Sequence, residues 1–321
     1  MKYATVTITL NPAIDRSVTI PKFKAGAVNR VEQVRANPGG KGVNVASALA
    51  DHGHRVAVTG FLGRENTVSF EALFAQKKIE DRFVRIAGQT RVGIKISDPV
   101  LKQTTDINFP GPAPAPADLD SLREQLATME AEWFVVAGSI PPNVNAAIYR
   151  DLVTTIKARC SKVLLDASGE ALRHAIEAAP NIIKPNIHEL ETFVGKSLNT
   201  ETAVINAARN LVAKGIELVA VSMGKEGACF VTGNDAIIVR PPDVEVNSTV
   251  GAGDAMVAGI IAAHLCQLPL AECAQLATAF SVHALTRKDS GPVSLSVIEV
   301  LVSRTTIETP AAANYQGLRR K

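Results

Sequence analysis

The sequence predicts an α/β fold: a doubly wound, mostly parallel sheet with helices on both faces, plus a small β-sheet lid. Three observations carry that expectation. Beyond Pro116, apolar β-type runs alternate regularly with helical patterns, the rhythm of strands joined by crossover helices. Hydrophobic residues make up 46% of the 321 positions but aromatic residues only 4%, so Val, Ile, Leu and Ala must fill the core, as they do in parallel strands covered on two sides. In Asp15–Val34 and again in Arg82–Phe109, short β-type pieces instead follow one another through turn residues.

The elements follow in order. Val6–Leu10 alternates β-branched residues and stops at Asn11-Pro12, a strand ended by a turn. Asp15–Val34 reads as β-type pieces broken by Pro21 and Gly26. Gly39-Gly40-Lys41-Gly42 reads as a loop ahead of a helix over Val43–Asp51, followed by a strand at Arg55–Gly63 and a helix at Ser69–Lys78. Arg82–Ala87, Arg91–Ser97 and Asp106–Phe109 are predicted to be antiparallel strands. Helices at 117–129, 143–159, 170–178 and 200–214 alternate with strands Trp133–Ala137, Val163–Asp166, Ile182–Lys184 and Leu218–Ser222. A hairpin of Cys229–Val231 and Ile237–Val239 turns at Gly233-Asn234, and helices near 252–266, 270–286 and 294–302 close the fold. Residues 1–11, 36–87 and 111–308 are thus assigned to the core and 12–35 and 88–110 to the lid. Residues 309–321, Ala-rich and then basic, form a tail.

Composition narrows the classes of function. A net charge of +3, spread along the chain, argues against nucleic acid but suits a cleft for an anionic small substrate. Cys160, Cys229, Cys266 and Cys273 are scattered without a Cys-x-x-Cys pair, and read as reduced core thiols of a cytosolic protein. No His/Cys cluster has metal-ligand spacing. The N-terminal run enters a strand at once without a signal-type apolar core, and no apolar run is long enough to span a membrane. A soluble, cytoplasmic protein is expected.

The strongest local signal is Asn247-Ser248-Thr249-Val250-Gly251-Ala252-Gly253-Asp254, ahead of the apolar segment Ala255–Cys266. Glycines at a helix start let the backbone approach a ligand closely, and the free N–H groups and helix dipole there favour a phosphoryl group. Asp254 falls in the first turn, where an acid also serves simply as a helix-start residue. Met256, Val257, Ile260 and Ile261 make the helix apolar nearly all round, so it should be buried. A carboxylate at the mouth of a buried helix is placed to take a proton from a substrate hydroxyl.

Other segments admit two readings each. Ser222-Met223-Gly224-Lys225-Glu226-Gly227 is an ordinary strand-to-strand turn or a ligand loop at the carboxyl end of a strand. In Lys184-Pro185-Asn186-Ile187-His188-Glu189, Asn186 and Glu189 could cap a helix, stand near nucleotide phosphates and magnesium, or do both. Gly39-Gly40-Lys41-Gly42-Val43-Asn44 lacks Walker A spacing, yet glycines around a lysine bind anions or hydroxyls efficiently. Asp15 is a turn residue or a hydroxyl ligand. Arg91 could pair with a phosphate or form a surface salt bridge.

Taken together and in order, these segments resemble the PfkB (ribokinase-like) carbohydrate kinases over nearly the whole chain. Gly39–Asn44 looks like the first family signature, Ser248–Asp254 like the second, Lys184–Glu189 like the Asn-x-x-Glu motif, and Ser222–Gly227 like the nucleotide loop. Thr9–Asp15 and Gly39–Gly42 are similar to the phosphosugar branch. Thr105–Gly111 and Gly138–Pro142 most resemble its 1-phosphofructokinase members. Asn247-Ser248-Thr249, where relatives acting on unphosphorylated sugars carry an Asp-Thr-Thr-like run, points the same way.

The resemblance implies MgATP-dependent phosphorylation of fructose 1-phosphate, with tagatose 6-phosphate and fructose 6-phosphate as alternatives and a non-catalytic sugar-phosphate sensor as the different-class rival. It implies that Asp254 is the base and that Gly251, Ala252 and Gly253 form the anion hole. Asp15, Gly40, Asn44 and Ser139 would bind the sugar, and Lys41 and Arg91 its phosphate. Lys184, Asn186, Ser222, Gly224, Gly227 and Thr249 would bind ATP, with Glu189 near magnesium through water. The lid is implied to be a homodimer contact. A dinucleotide-dependent oxidoreductase is disfavoured, because no Gly-x-Gly-x-x-Gly follows the first strand.

Overall fold

The computed structural model describes residues 3–287 and 293–310. Its centre is β1 (Tyr3–Thr9), which pairs in parallel with β4 (Val56–Gly63) on one side and β8 (Ala131–Ala137) on the other. Parallel pairing continues through β9 (Lys162–Asp166), β10 (Ile182–Ile183) and β11 (Leu218–Ser222). The sheet then turns antiparallel through β12 (Ala228–Val231), β13 (Ala236–Arg240) and β14 (Thr306–Glu308). With β5 (Glu80–Ile86) on the far edge, the order is β14-β13-β12-β11-β10-β9-β8-β1-β4-β5.

Helices cover both faces, as the apolar strands demand. Helices α1 (Lys41–Asp51), α2 (Val68–Lys77), α8 (Ala252–Leu265), α9 (Leu270–Thr286) and α10 (Leu295–Arg304) bury Val45, Phe70, Ile260, Phe280 and Ile298 in one layer. On the other face, α3 (Pro116–Thr128), α4 (Ile148–Lys157), α5 (Gly169–Ile176), α6 (Ile187–Val194) and α7 (Glu201–Val212) bury Leu122, Tyr149, Leu172, Leu190 and Ile205. Helix α8 is apolar all round because it packs against the sheet, α1 and α9. A Cβ on Gly259 would lie 2.6 Å from the Cα of Ala277, so the two helices cross almost backbone to backbone.

A second sheet has the order β3-β2-β6-β7, formed by β2 (Ala13–Thr19), β3 (Gln33–Gly39), β6 (Arg91–Asp98) and β7 (Gln103–Asn108). Its loops converge on Asp98. This buried carboxylate accepts the backbone N–H groups of Lys22, Phe23, Val100 and Leu101 at 2.7–3.0 Å.

Several local expectations give way. The 82–87 segment is not antiparallel: β5 is a parallel edge strand of the main sheet, reached from β4 through α2. Strand β2 pairs in parallel with β6, making the second sheet mixed. Gly39–Gly42 is not a loop. Strand β3 runs to Gly39, past the boundary expected at 35, and α1 starts at Lys41 with Gly40 (φ 114°) as the single hinge. Pro38 is tolerated within β3 because β3 is an edge strand. Helix α4 starts at Ile148, after a turn in which Asn145 Oδ1 accepts the Ala147 N–H. Strand β14 was not foreseen, and Cys160 and Cys266 are exposed, so only Cys229 and Cys273 are core thiols. The tail from 311 onward lies outside the described residues.

Candidate active site

Strand β9 is apolar from Val163 to Leu165 and β10 throughout; the chain places Asp166 at the carboxyl end of the first and Lys184 just past that of the second. In an open parallel sheet those ends form the ligand crevice. The Lys184 N–H donates to the Leu165 carbonyl at 3.1 Å, which fixes the two residues side by side. Lys41, at the start of α1, brings its Nζ to 2.9 Å from Asp166 Oδ1, and Lys184 Nζ lies 3.6 Å from the same oxygen. Asp166 is fully buried, and its Oδ2 has no hydrogen-bond partner. Burial would raise its pKa, but the Lys184 and Lys41 ammonium groups hold it below the usual carboxylate range. For Lys41, burial pulls the other way and is outweighed by Asp166, Asp254 and Glu189, so it stays firmly protonated.

Asp254 occupies the first turn of α8. Gly251 caps that helix in the left-handed region (φ 77°), so the amides of the first turn face the crevice without intrahelical acceptors. A Cβ on Gly253 would lie 3.5 Å from Lys184 Nζ, which sets the ammonium beside the helix mouth. Burial and the charge of Asp166 push the Asp254 carboxyl up to about 6. Working against them are Lys41, Lys184 and a 2.7 Å hydrogen bond donated by Asn44 Nδ2 to Asp254 Oδ2. The result is a buried carboxylate ready to accept a proton near neutral pH, two ammonium groups and a helix N-terminus.

A cavity of about 1040 Å³ opens between this centre and the second sheet, lined among others by Asp15, Asn37, Asn44, Lys95, Thr249 and Gly251. Asp15 lies between two glycines of neighbouring strands. A Cβ on Gly39 would sit 2.6 Å from its Oδ2, and one on Gly93 would sit 2.8 Å from its Oδ1. Burial raises the pKa of Asp15, with Lys95 and Arg91 opposing. Among the described residues Arg91 forms no ion pair: its Nε donates to the Asn11 carbonyl (3.2 Å) and its Nη1 to that of Phe109 (3.4 Å). Asn11 Nδ2 in turn donates to Ser139 Oγ (3.2 Å) and to the Pro110 carbonyl (3.1 Å), which gathers Arg91 and Ser139 at the end of β1.

The remaining predicted residues form a second group. Asn186 Oδ1 accepts the Glu189 N–H (2.9 Å) and Glu189 Oε2 accepts the Asn186 N–H (2.8 Å), a complete capping box on α6. Asn186 bridges Ser222 in parallel, and the Ser222 N–H donates to the Pro185 carbonyl. Gly224 and Gly227 follow in a tight turn. None of these residues lines the large cavity, whereas Thr249, expected beside them, does.

Sequence reasoning missed Asp166 and Asn11. A charged residue ending an apolar strand marks the first. Nothing local marks the second, because its partners are 99 and 128 positions away.

Comparison with known proteins gives consistent matches. A family model described as pfkB family carbohydrate kinase matches residues 2–296. The chain is 49% identical over 282 residues to 1-phosphofructokinase of Rhodobacter capsulatus, covering 87% of this chain and 89% of that protein. Against 1-phosphofructokinase of Escherichia coli K12 the identity is 36% over 314 residues, covering 96% and 99%. Among solved structures, phosphofructokinase-2 from Escherichia coli in complex with fructose-6-phosphate superposes with a TM-score of 0.86 at 27% identity, covering 94% of this chain and 98% of that one.

Proposed function

The chain belongs to the pfkB family of carbohydrate kinases, and from that premise we propose that it transfers the γ-phosphoryl group of ATP to fructose 1-phosphate, giving fructose 1,6-bisphosphate and ADP. The observation that carries the chemistry is Asp254, a buried carboxylate pushed up to about 6 at a helix mouth beside Lys184. Relatives named 1-phosphofructokinase at 36–49% identity support the substrate.

In this reading Asp254 takes the proton of the acceptor hydroxyl as that oxygen bonds to the γ-phosphorus and the bond to ADP breaks. The amides of Gly251, Ala252 and Gly253 hold the charge of the transferring group. Asp15, Gly40, Asn44 and Ser139 bind the sugar. For Lys41, expected at the substrate's own phosphate, we propose another role. Engaged with Asp166 and within the field of Asp254, it serves the transferred phosphoryl group, which leaves Arg91 for the substrate's own phosphate. Lys184, Asn186, Ser222, Gly224 and Gly227 take the nucleotide; Thr249 lies with the sugar side. Asp166 Oδ2, without a hydrogen-bond partner among the described residues, and the carboxylate of Glu189 are hard oxygens that would hold a magnesium ion bound with ATP, and the ion would offset charge on the phosphates.

The second sheet serves as lid and as contact with a second copy of the chain, and the enzyme works in the cytoplasm. Fructose 6-phosphate is the second reading, favoured by the fold match to a protein solved with that sugar. A coupled ADP-release assay on fructose 1-phosphate, fructose 6-phosphate and tagatose 6-phosphate decides between them. The expected outcome is a kcat/KM for fructose 1-phosphate at least about tenfold above the others. A higher value for either 6-phosphate would overturn the substrate, and no turnover of any would overturn the reaction.

A further inference from the structure

We infer that Arg240 is a positioning residue for nucleotide binding, acting through the turn Gly224-Lys225-Glu226-Gly227; the inference rests on the assignment of that turn to ATP. Arg240 ends β13, and its guanidinium is engaged on three sides. Nη1 donates to the Glu226 carbonyl oxygen at 2.7 Å. Nε and Nη2 donate to Glu308 Oε1 and Oε2 at 3.2 and 2.9 Å, a two-pronged grip on one carboxylate, and Nη2 also reaches Glu201 Oε1. Glu201 opens α7 and Glu308 ends β14. One side chain therefore ties the turn to three elements of the core.

The turn has little else to hold it. Gly224, Lys225 and Glu226 are exposed, so apolar packing does not fix them. Its own hydrogen bonds, Met223 N–H to the Gly227 carbonyl (2.8 Å) and Gly227 N–H to the Gly224 carbonyl (3.1 Å), close the turn upon itself without anchoring it. The outside constraints come from two consecutive residues of β13. The Val239 carbonyl fills the space where a Cβ on Gly227 would stand (φ 90°), and Arg240 grips the carbonyl just before that glycine. The first contact sets how closely the turn approaches β13, and the second sets how its peptide plane before Gly227 is oriented. A planar guanidinium can serve two carboxylates and a carbonyl together, whereas the point charge of a lysine cannot hold all three directions.

Wild type, Arg240→Gln, Arg240→Lys and Glu308→Gln are compared by fluorescence titration with an N-methylanthraniloyl ATP analogue, by steady-state kinetics and by thermal melting. Arg240→Gln removes the guanidinium and with it the charge-assisted grip on the Glu226 carbonyl and its anchors Glu308 and Glu201; it should weaken analogue binding and raise the KM for ATP at least about tenfold, with kcat and the KM for the phosphosugar moving less than about twofold. Arg240→Lys and Glu308→Gln should fall between that variant and wild type. Unchanged analogue binding in Arg240→Gln overturns the inference. So does an equal rise in both KM values, or failure of the wild type to bind the analogue. The titration needs no sugar, so an enzyme that rejects fructose 1-phosphate would sink the substrate assignment and leave this test standing.

Discussion

Ionising Asp254 inside the protein is unfavourable, which is what would give it useful strength in the proposed role of base. With the carboxyl pushed up to about 6, first by burial and then by Asp166, it is deprotonated at neutral pH yet still takes a proton readily. Asp254→Asn should cut kcat by roughly 10²–10⁴ while circular dichroism stays unchanged; near-wild-type turnover would refute the role. The same shift bears on stability. Because the folded pKa exceeds the unfolded one, the favourable contribution is complete below the unfolded carboxylate range and is lost as pH rises through about 6. The Tm of Asp254→Asn relative to wild type should therefore be higher at pH 8 than at pH 5. Asn44 hydrogen-bonds the ionised form, so Asn44→Ala should move the acidic limb of the pH–kcat profile upward; a limb that stays or moves down contradicts the geometry. Asp254 was legible because its glycines precede it directly in sequence. Asp166 carried only the weak mark of a charge ending an apolar strand; its ion pair exists only once Lys41, 125 positions away, is folded against it.

Helix α1 carries both Lys41 and Asn44, so under the proposed mechanism turnover should depend on how closely it lies on β1. Gly42 permits that approach: a Cβ there would run into Thr9 Oγ1 and crowd the Thr7 side chain. Gly42→Ala should destabilise the fold by ~1–3 kcal/mol, read from chemical denaturation, and lower kcat more than the small change in side-chain size suggests. A variant with wild-type kcat would show that α1 need not sit this close. Elements with strong periodicity were legible within a few residues, including buried α8 and the alternation from α3 to β11. What escaped was pairing. Strand direction at β5 follows from the crossover through α2, and β3 passes into α1 without a loop because Gly40 alone makes the bend. Neither is written in local composition. Strand β14 is too short and exposed to leave a pattern at all.

Across the whole molecule, the second sheet is polar toward the cavity and carries apolar residues, interrupted by Arg16, on its other face, the reverse of a surface layer on a monomer. Asp15, Ser17, Arg35, Asn37 and Lys95 face the cavity. The alternate residues Val18, Val34, Ile94 and Ile107 face outward, with Val34 64% and Ile107 45% exposed. Single exposed apolar residues need no explanation, but a sheet face of them does. Covering that face with the same face of a second chain would remove apolar area from water at about 25 cal/mol per Å², and a two-fold arrangement would make the patch its own complement. The Asp98 knot, which holds the strand ends through four backbone N–H groups, keeps the face rigid enough to dock. The wild-type chain of 33.9 kDa should therefore sediment as a dimer, and the double substitution Val34→Lys with Ile107→Lys should sediment as a monomer. Because both side chains point away from the cavity, residual turnover in the monomer reports how far the active site depends on its partner. A wild-type protein that sediments as a monomer at micromolar concentration would remove the second copy as the occupant of this face.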